Sequence, residues 1–178
     1  RAELEHLAAE LGEPKYRAAQ VFKALHQRRL RSFDEITDLP KTLRGKLEDI
    51  AGVSRLTVES RYASTDGTRR YLMKTADGNP VETVYIPSEK RDTICFSSQS
   101  GCPLKCDFCL TAQLGLLRNL TAGEIVEQVI IVLNDVYGVG AETPHGTNLV
   151  GMGAGEPFLN FDNLIAALEL MSDEDGLF

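Results

Sequence analysis

From Thr93 to Met171 the hydrophobic period of the chain changes repeatedly, and that alternation leaves it few folds. Thr93–Ser98 reads as a strand and ends in a loop. Thr121 and Glu124 then form a capping box that opens a helix to about Tyr137, with Ile125, Val129 and Val132 on its inner face. Asn148–Met152 is a second strand, Gly151–Pro157 a glycine-rich turn, and Asp162–Met171 a last helix. Strand, loop and helix, given twice, begin a parallel α/β sheet or barrel whose functional loops follow the strand C-termini. Two such units cannot close a barrel. The chain starts at Arg1 and stops at Phe178 after a helix that should feed another strand, so it reads as a piece of a longer protein.

The preceding residues follow other periods. Residues 1–52 read as a small helical unit: Glu3–Leu11 stopped by Gly12, a helix after Pro14 with Ala18, Val21, Phe22 and Leu25 inward, and a third from Pro40 with Leu43, Leu47 and Ile50 on one face. Residues 53–92 read as strands at 53–62, 69–75 and 81–86, the last two joined by the hairpin signal Asp77-Gly78. Residues 93–178 hold the βα units.

The loop after the first of those units carries Cys102, Cys106 and Cys109, spaced x3 then x2. Three thiolates so close converge on one small object only if the loop wraps it. A cube of iron and sulfide suits them, since three cysteines hold three irons and leave the fourth open to a substrate or cofactor, whereas electron carriers normally have four cysteine ligands. Zinc favours C-x2-C pairs and a fourth ligand, and His6, His26 and His145 are scattered. Four cysteines in 178 residues without a signal peptide do not make a disulfide framework. Thiols kept for a metal imply a reducing compartment, the cytoplasm.

Composition is ordinary for a soluble protein, at 43% hydrophobic and 25% charged, and no apolar run is long enough to span a membrane. Charge is not evenly spread. All 19 Lys and Arg lie at or before Arg118, while residues 119–178 carry ten acids and no Lys or Arg. Lys15, Arg17, Lys23, Arg28 and Arg29 sit on or beside the second helix. That face is either an RNA-contacting surface or an ordinary solvated helix.

C-x3-C-x2-C after a first barrel strand resembles the signature of radical S-adenosylmethionine (SAM) enzymes. Val81-Glu82-Thr83-Val84-Tyr85-Ile86-Pro87, Cys95-Phe96-Ser97-Ser98-Gln99-Ser100-Gly101-Cys102, Leu114–Thr121 and Tyr16–Phe22 narrow the resemblance to the 23S rRNA adenine-C2 methyltransferases, some of which also methylate a tRNA. The similarity covers essentially the whole chain. It implies a radical-SAM partial (β/α) barrel, preceded by the helical domain and a β-hairpin extension, with the C-terminal part of the barrel missing.

Roles follow from the resemblance residue by residue. Cys102, Cys106 and Cys109 would hold a [4Fe–4S] cluster whose free iron chelates SAM. Gly153, Gly155 and Glu156 match a Gly-Glu-Pro turn at the methionine end of SAM, where glycine allows close backbone approach and a carboxylate accepts from an ammonium. Ala154 stands where methionine is usual, a change expected to alter packing. Phe108 is either a neighbour of the SAM adenine or a hydrophobic anchor. Cys95 corresponds to the cysteine that forms a transient disulfide with a methyl-carrying cysteine, which lies outside these residues; its plainer reading is a buried strand thiol. Glu82 corresponds to the proton acceptor, and methylating an aromatic carbon does release a proton; its plainer reading is a solvated carboxylate on a hairpin strand. One SAM would methylate the absent cysteine; a second would yield the radical that drives attack on adenine C2.

Partners implied are 23S rRNA, tRNA as a second substrate, and an external electron donor, for a monomer. The piece is expected to hold its cluster poorly and not to complete methyl transfer. C8-directed sister methyltransferases share these motifs, and a non-catalytic cluster-binding module is a more distant alternative.

Overall fold

The computed structural model describes residues 1–53 and 55–178; Ser54, inside the strand expected at 53–62, lies outside the described residues. The helical unit forms as its periodicity predicts, with α1 at Ala2–Glu10, α2 at Tyr16–Leu25 and α3 at Lys41–Ile50. Gly12 follows α1 at φ 72°, a left-handed turn that glycine takes without a Cβ penalty. Val21, Ala24, Phe33, Ile36, Leu39, Leu43 and Leu47 bury against one another as its core. Full burial of each large side chain contributes about 1.5–3 kcal/mol.

Strands β1 (Leu56–Ala63), β2 (Arg69–Thr75), β3 (Pro80–Ile86) and β4 (Arg91–Cys95) form an antiparallel meander. Strands β5 (Gln99–Gly101) and β6 (Leu116–Asn119) make a separate two-stranded ribbon, and α4 (Ala122–Tyr137) follows. Strand β7 (Gly146–Val150) then pairs parallel with β4, and α5 (Phe161–Ser172) closes the chain. The main sheet has the order β1-β2-β3-β4-β7, so the hairpin strands and the βα units share one mixed sheet. They also share one apolar core, in which Tyr71, Met73, Val81, Tyr85 and Ile94 pack against Ile125, Val129, Val132, Ala167 and Met171.

Several strand boundaries differ from expectation, two of them at the site. The strand expected at 93–98 ends at Cys95, because Phe96 and Ser98 turn aside to bond Val150 and Ala154 across the neighbouring loop. The strand expected from Asn148 starts and ends two residues earlier, leaving Gly151 and Met152 in the turn. The capping box is as expected: Thr121 Oγ1 accepts from the Glu124 N–H, and the Glu124 carboxylate accepts from the Thr121 N–H.

Arg29 fastens the helical unit to the sheet layer. It is buried at φ 53°, donates to Asn134 Oδ1 and to the carbonyls of Gly138 and Ala141 at the end of α4, and accepts from Asn134 through its own carbonyl. The uneven charge along the chain is balanced in space. Acids of the last segment meet early cations: Asp135 pairs with Arg61 and Arg69, Glu127 with Arg31, and Asp175 with Arg1 and Lys23. Lys15 pairs with Glu5, Arg17 with Glu13 and Arg28 with Asp38. The second helix therefore presents neutralised cations and not an uncompensated basic face. Among the described residues no helix is long and apolar enough to cross a membrane.

Candidate active site

Alternation along the strands sorts the sheet into two faces. Val81, Thr83, Tyr85 and Ile94 point into the core beneath α4 and α5. The opposite face carries Glu82, Val84 and Cys95, together with Arg70 and Leu72 of β2. Val84 pairs directly with Cys95, which puts Glu82 on a diagonal from the thiol. Arg70 Nη1 lies 3.2 Å from Glu82 Oε1, and the Arg70 guanidinium stacks 4.8 Å from the Tyr62 ring centroid. Both carboxylate and guanidinium are about half exposed, so the pair adds little to stability.

Cys95 ends β4 beside the end of β7, where it pairs in register with Val150. Burial pushes its thiol pKa up, and a hydrogen bond from the Met152 N–H acts the other way. The thiol is a strand-end residue facing the glycine turn, and it stands apart from the cysteine loop. All four cysteines are free.

The cysteine loop leaves the sheet through a narrow neck. Gly101, at φ 74°, packs so closely on the returning chain that a Cβ there would lie 1.9 Å from the Gly115 carbonyl oxygen. The Cys102 N–H donates to that same oxygen at 3.0 Å. Inside the loop Cys102 is buried while Cys106 and Cys109 are partly exposed. Hydrogen bonds from the Ala112 and Thr111 N–H groups lower the Cys109 thiol pKa, favouring the thiolate form that binds metal. Among the described residues no three His, Cys, Asp or Glu groups gather around a single ion. A cubane cluster makes no such demand, since each cysteine takes its own iron. An all-thiol donor set in a closed loop fits that group, and His145, engaged with Asp92, offers no zinc ligand. Phe108 is 95% exposed and anchors nothing among the described residues.

The glycine turn is held by the segment that feeds the loop. Gly153, Gly155 and Glu156 lie where expected, after β7, but the close approach that the glycines allow is to protein. A Cβ on Gly153 would meet Ser97 Oγ at 2.6 Å, and one on Gly155 would meet Gln99 Cβ at 2.6 Å. Ala154 uses its backbone, donating N–H to Ser97 Oγ and accepting from the Ser98 and Gln99 N–H groups. That use is indifferent to whether alanine or methionine stands there. The Glu156 carboxylate accepts from the Phe158 N–H at 3.1 Å.

The sequence did not single out the residues that lock these parts. Ser97 Oγ donates to the Glu82 carbonyl at 2.6 Å, tying β3 to the turn through one hydroxyl. Gln128 of α4 clamps Ser97 by accepting from its N–H and donating to its carbonyl, and also accepts from Thr83 Oγ1. Asn160 donates to the carbonyls of Ser98 and Leu120, each at 2.7 Å. Arg118 bridges Asp77 and Glu124 beside the ribbon. The visible signal was the polar run Ser97-Ser98-Gln99-Ser100; its partners lie up to 62 residues away, where no local pattern points.

Residues 1–53 match the family model described as the ribosomal RNA large subunit methyltransferase N-terminal domain. The dual-specificity RNA methyltransferase RlmN of Geobacter sulfurreducens is 49% identical over 175 residues, which are 98% of this chain and 46% of that protein. The dual-specificity RNA methyltransferase RlmN 2 of Myxococcus xanthus is 50% identical over 169 residues, 94% of this chain and 45% of that protein. The crystal structure of a radical SAM methyltransferase from Sphaerobacter thermophilus superposes with a TM-score of 0.91 at 39% identity, covering 99% of this chain and 51% of that one. The chain thus spans about half the length of these relatives. Along nearly all of its own length it is similar to RNA methyltransferases named RlmN and to a radical SAM methyltransferase of known structure.

Proposed function

We propose that these residues are the cofactor-holding and RNA-contacting part of a radical SAM enzyme that methylates adenine C2 in 23S rRNA and in a tRNA. The observation that carries this reading is the joining of the cysteine loop and the Gly-Glu turn at one end of a sheet whose open face bears Cys95 and Glu82. Cys102, Cys106 and Cys109 would hold a [4Fe–4S] cluster, which with SAM supplies the radical chemistry needed at an electron-poor carbon. Glu156 accepts hydrogen bonds from the SAM ammonium, with Gly153 and Gly155 setting the path of its main chain. Phe108, projecting from the loop, covers the adenine of SAM. Glu82 takes the proton released from the methylated carbon. Cys95, held on the same face, would attack through its thiolate the sulfur of the cysteine still linked to the base, forming a transient disulfide as that sulfur's bond to carbon breaks and the released carbon takes up a proton to become the methyl group.

On this reading residues 1–52 approach the RNA, 53–92 supply Glu82, and 93–178 begin a partial (β/α) barrel completed by further chain. The enzyme works as a cytoplasmic monomer and draws on an external electron donor. The isolated 178 residues do not turn over. A chimaera tests this: the chain replaces the equivalent residues of the Geobacter sulfurreducens relative, and its rRNA product is mapped by mass spectrometry after incubation with SAM and reductant. Methylation at adenine C2 by the chimaera and none by the isolated chain is expected. Methylation at C8, or turnover by the isolated chain, defeats the reading.

A further inference from the structure

The side chain of Gln99 is buried and bridges the two loops of the site. Its Oε1 accepts from the Glu156 N–H at 2.9 Å, and its Nε2 donates to Asn119 Oδ1 at 2.7 Å. Its own N–H reaches the Ala154 carbonyl at 3.2 Å, and its Cβ and Cγ fill the space that a side chain on Gly155 would need. Gln99 therefore touches three successive residues of the turn. It also starts β5, which enters the cysteine loop at Cys102, while Asn119 ends β6, which leaves that loop. One carboxamide so joins both stems of the loop to the main chain of Glu156. A buried amide costs free energy unless its groups are bonded, and an apolar side chain of the same size would fill this space without that demand. Here the demand is met by the one N–H that sets where the Glu156 carboxylate begins.

We propose that Gln99 is a positioning residue that fixes Glu156 at a set distance from the cysteine loop, so that carboxylate and sulfur ligands grip two ends of one ligand in register. The ligand half of this statement rests on the SAM reading above; the geometric half does not. Both are tested on the 178-residue chain. In Gln99→Met, amide hydrogen exchange at Glu156 should accelerate by about ten-fold, as expected for loss of a bond worth about 1.4 kcal/mol, while exchange at Gly153, bonded to the Phe96 carbonyl, stays unchanged. Gln99→Glu keeps the acceptor and should restore protection at Glu156. Asn119→Ala lies at an exposed position, so it leaves the fold intact, and it should give a smaller acceleration.

After anaerobic reconstitution with iron and sulfide, Gln99→Met should load as much iron as the unaltered chain. It should need about ten-fold more SAM to change the electron paramagnetic resonance signal of the reduced cluster, the same free-energy loss read at the ligand. Unchanged Glu156 exchange in both Gln99→Met and Asn119→Ala overturns the proposal. So does an unchanged SAM response, or a loss of iron that parallels the loss of SAM binding. If the unaltered chain loads no cluster, as expected of a piece that holds it poorly, the same SAM titration is made on Gln99→Met in the chimaera, where an unchanged response overturns the ligand half, and the exchange rates still decide whether Gln99 fixes the turn.

Discussion

Two stretches separated by one glycine treat polar groups in opposite ways. Ser97, Ser98, Gln99 and Ser100 are each at most 1% exposed, and every one of them makes hydrogen bonds to a distant segment. Beyond Gly101 the chain turns outward: Leu110 is 76% exposed, and the bonds within the loop join near neighbours such as Cys109 to Cys106. The first stretch has its geometry fixed by the protein alone. The second leaves two thiols partly exposed and several apolar side chains uncovered. A site that assembles a metal group needs both, because a rigid frame sets where the loop stands while the loop itself adapts to what it holds.

The comparison breaks most easily at the neck. Gly101→Ala should cost about 3 kcal/mol or more, adding a steric clash with the Gly115 carbonyl to the strain of a left-handed residue, and denaturant melts would show it. Ser97→Ala removes two bonds and leaves the Glu82 carbonyl and the Ala154 N–H without that partner, so a loss of about 2 kcal/mol is expected in the same melts. If that variant melts like the unaltered chain, the frame is not what holds the turn. Replacing Cys106 and Cys109 together by alanine should abolish iron loading yet move stability by less than about 1 kcal/mol, since both lie in the outward loop.

Acid provides a gentler test. The frame residues Ser97, Gln99, Gln128 and Asn160 carry no titrating group, whereas Arg118 beside the ribbon depends on two carboxylates. Hydrogen bonds from Arg118 and then Thr75 hold Asp77 well below its ordinary 3.8. At Glu124 burial acts upward, but bonds from Arg118 and the Thr121 N–H outweigh it and lower the carboxyl. A carboxylate depressed in the folded state contributes stability that is present above its unfolded pKa and lost as pH falls through the folded one. Amides of β6 should therefore lose exchange protection below about pH 4 before those of Ser97–Gln99 do. Equal loss in both would merge the two regions. Phe108→Ala should leave stability unchanged within about 0.5 kcal/mol, because the ring is exposed, and weaken only what the loop binds.

Much of this frame is legible in the sequence. Thr121 and Glu124 announced the start of α4, Asp77-Gly78 the β2–β3 turn, and the apolar spacing of Ala18, Val21 and Phe22 the buried side of α2. These signals are local, set by residues a few positions apart. The β5–β6 ribbon escaped notice because strands of three and four residues carry no readable period, and Gln99 finds Asn119 only across the whole loop. The glycines of the turn were recognised, but their crowding partners are Phe96, Ser97 and Gln99, a contact that exists only once β4 and β7 lie parallel. Charge along the chain left its reading open for the same reason: the cations of the first half meet the acids of the last only in three dimensions.

The neck at Gly101 and Gly115 has one further consequence. A flexible loop normally surrenders chain entropy when a metal draws its ends together, and that loss weakens binding. Here the ends at Cys102 and Gly115 are already joined by the protein, so residues between them are a ring before any iron arrives. On the proposed reading, capture of a metal cluster would order only the interior of that ring. Loading and stripping iron should then be reversible events that leave the sheet folded, and a chain that has lost its metal is an empty holder ready to be refilled.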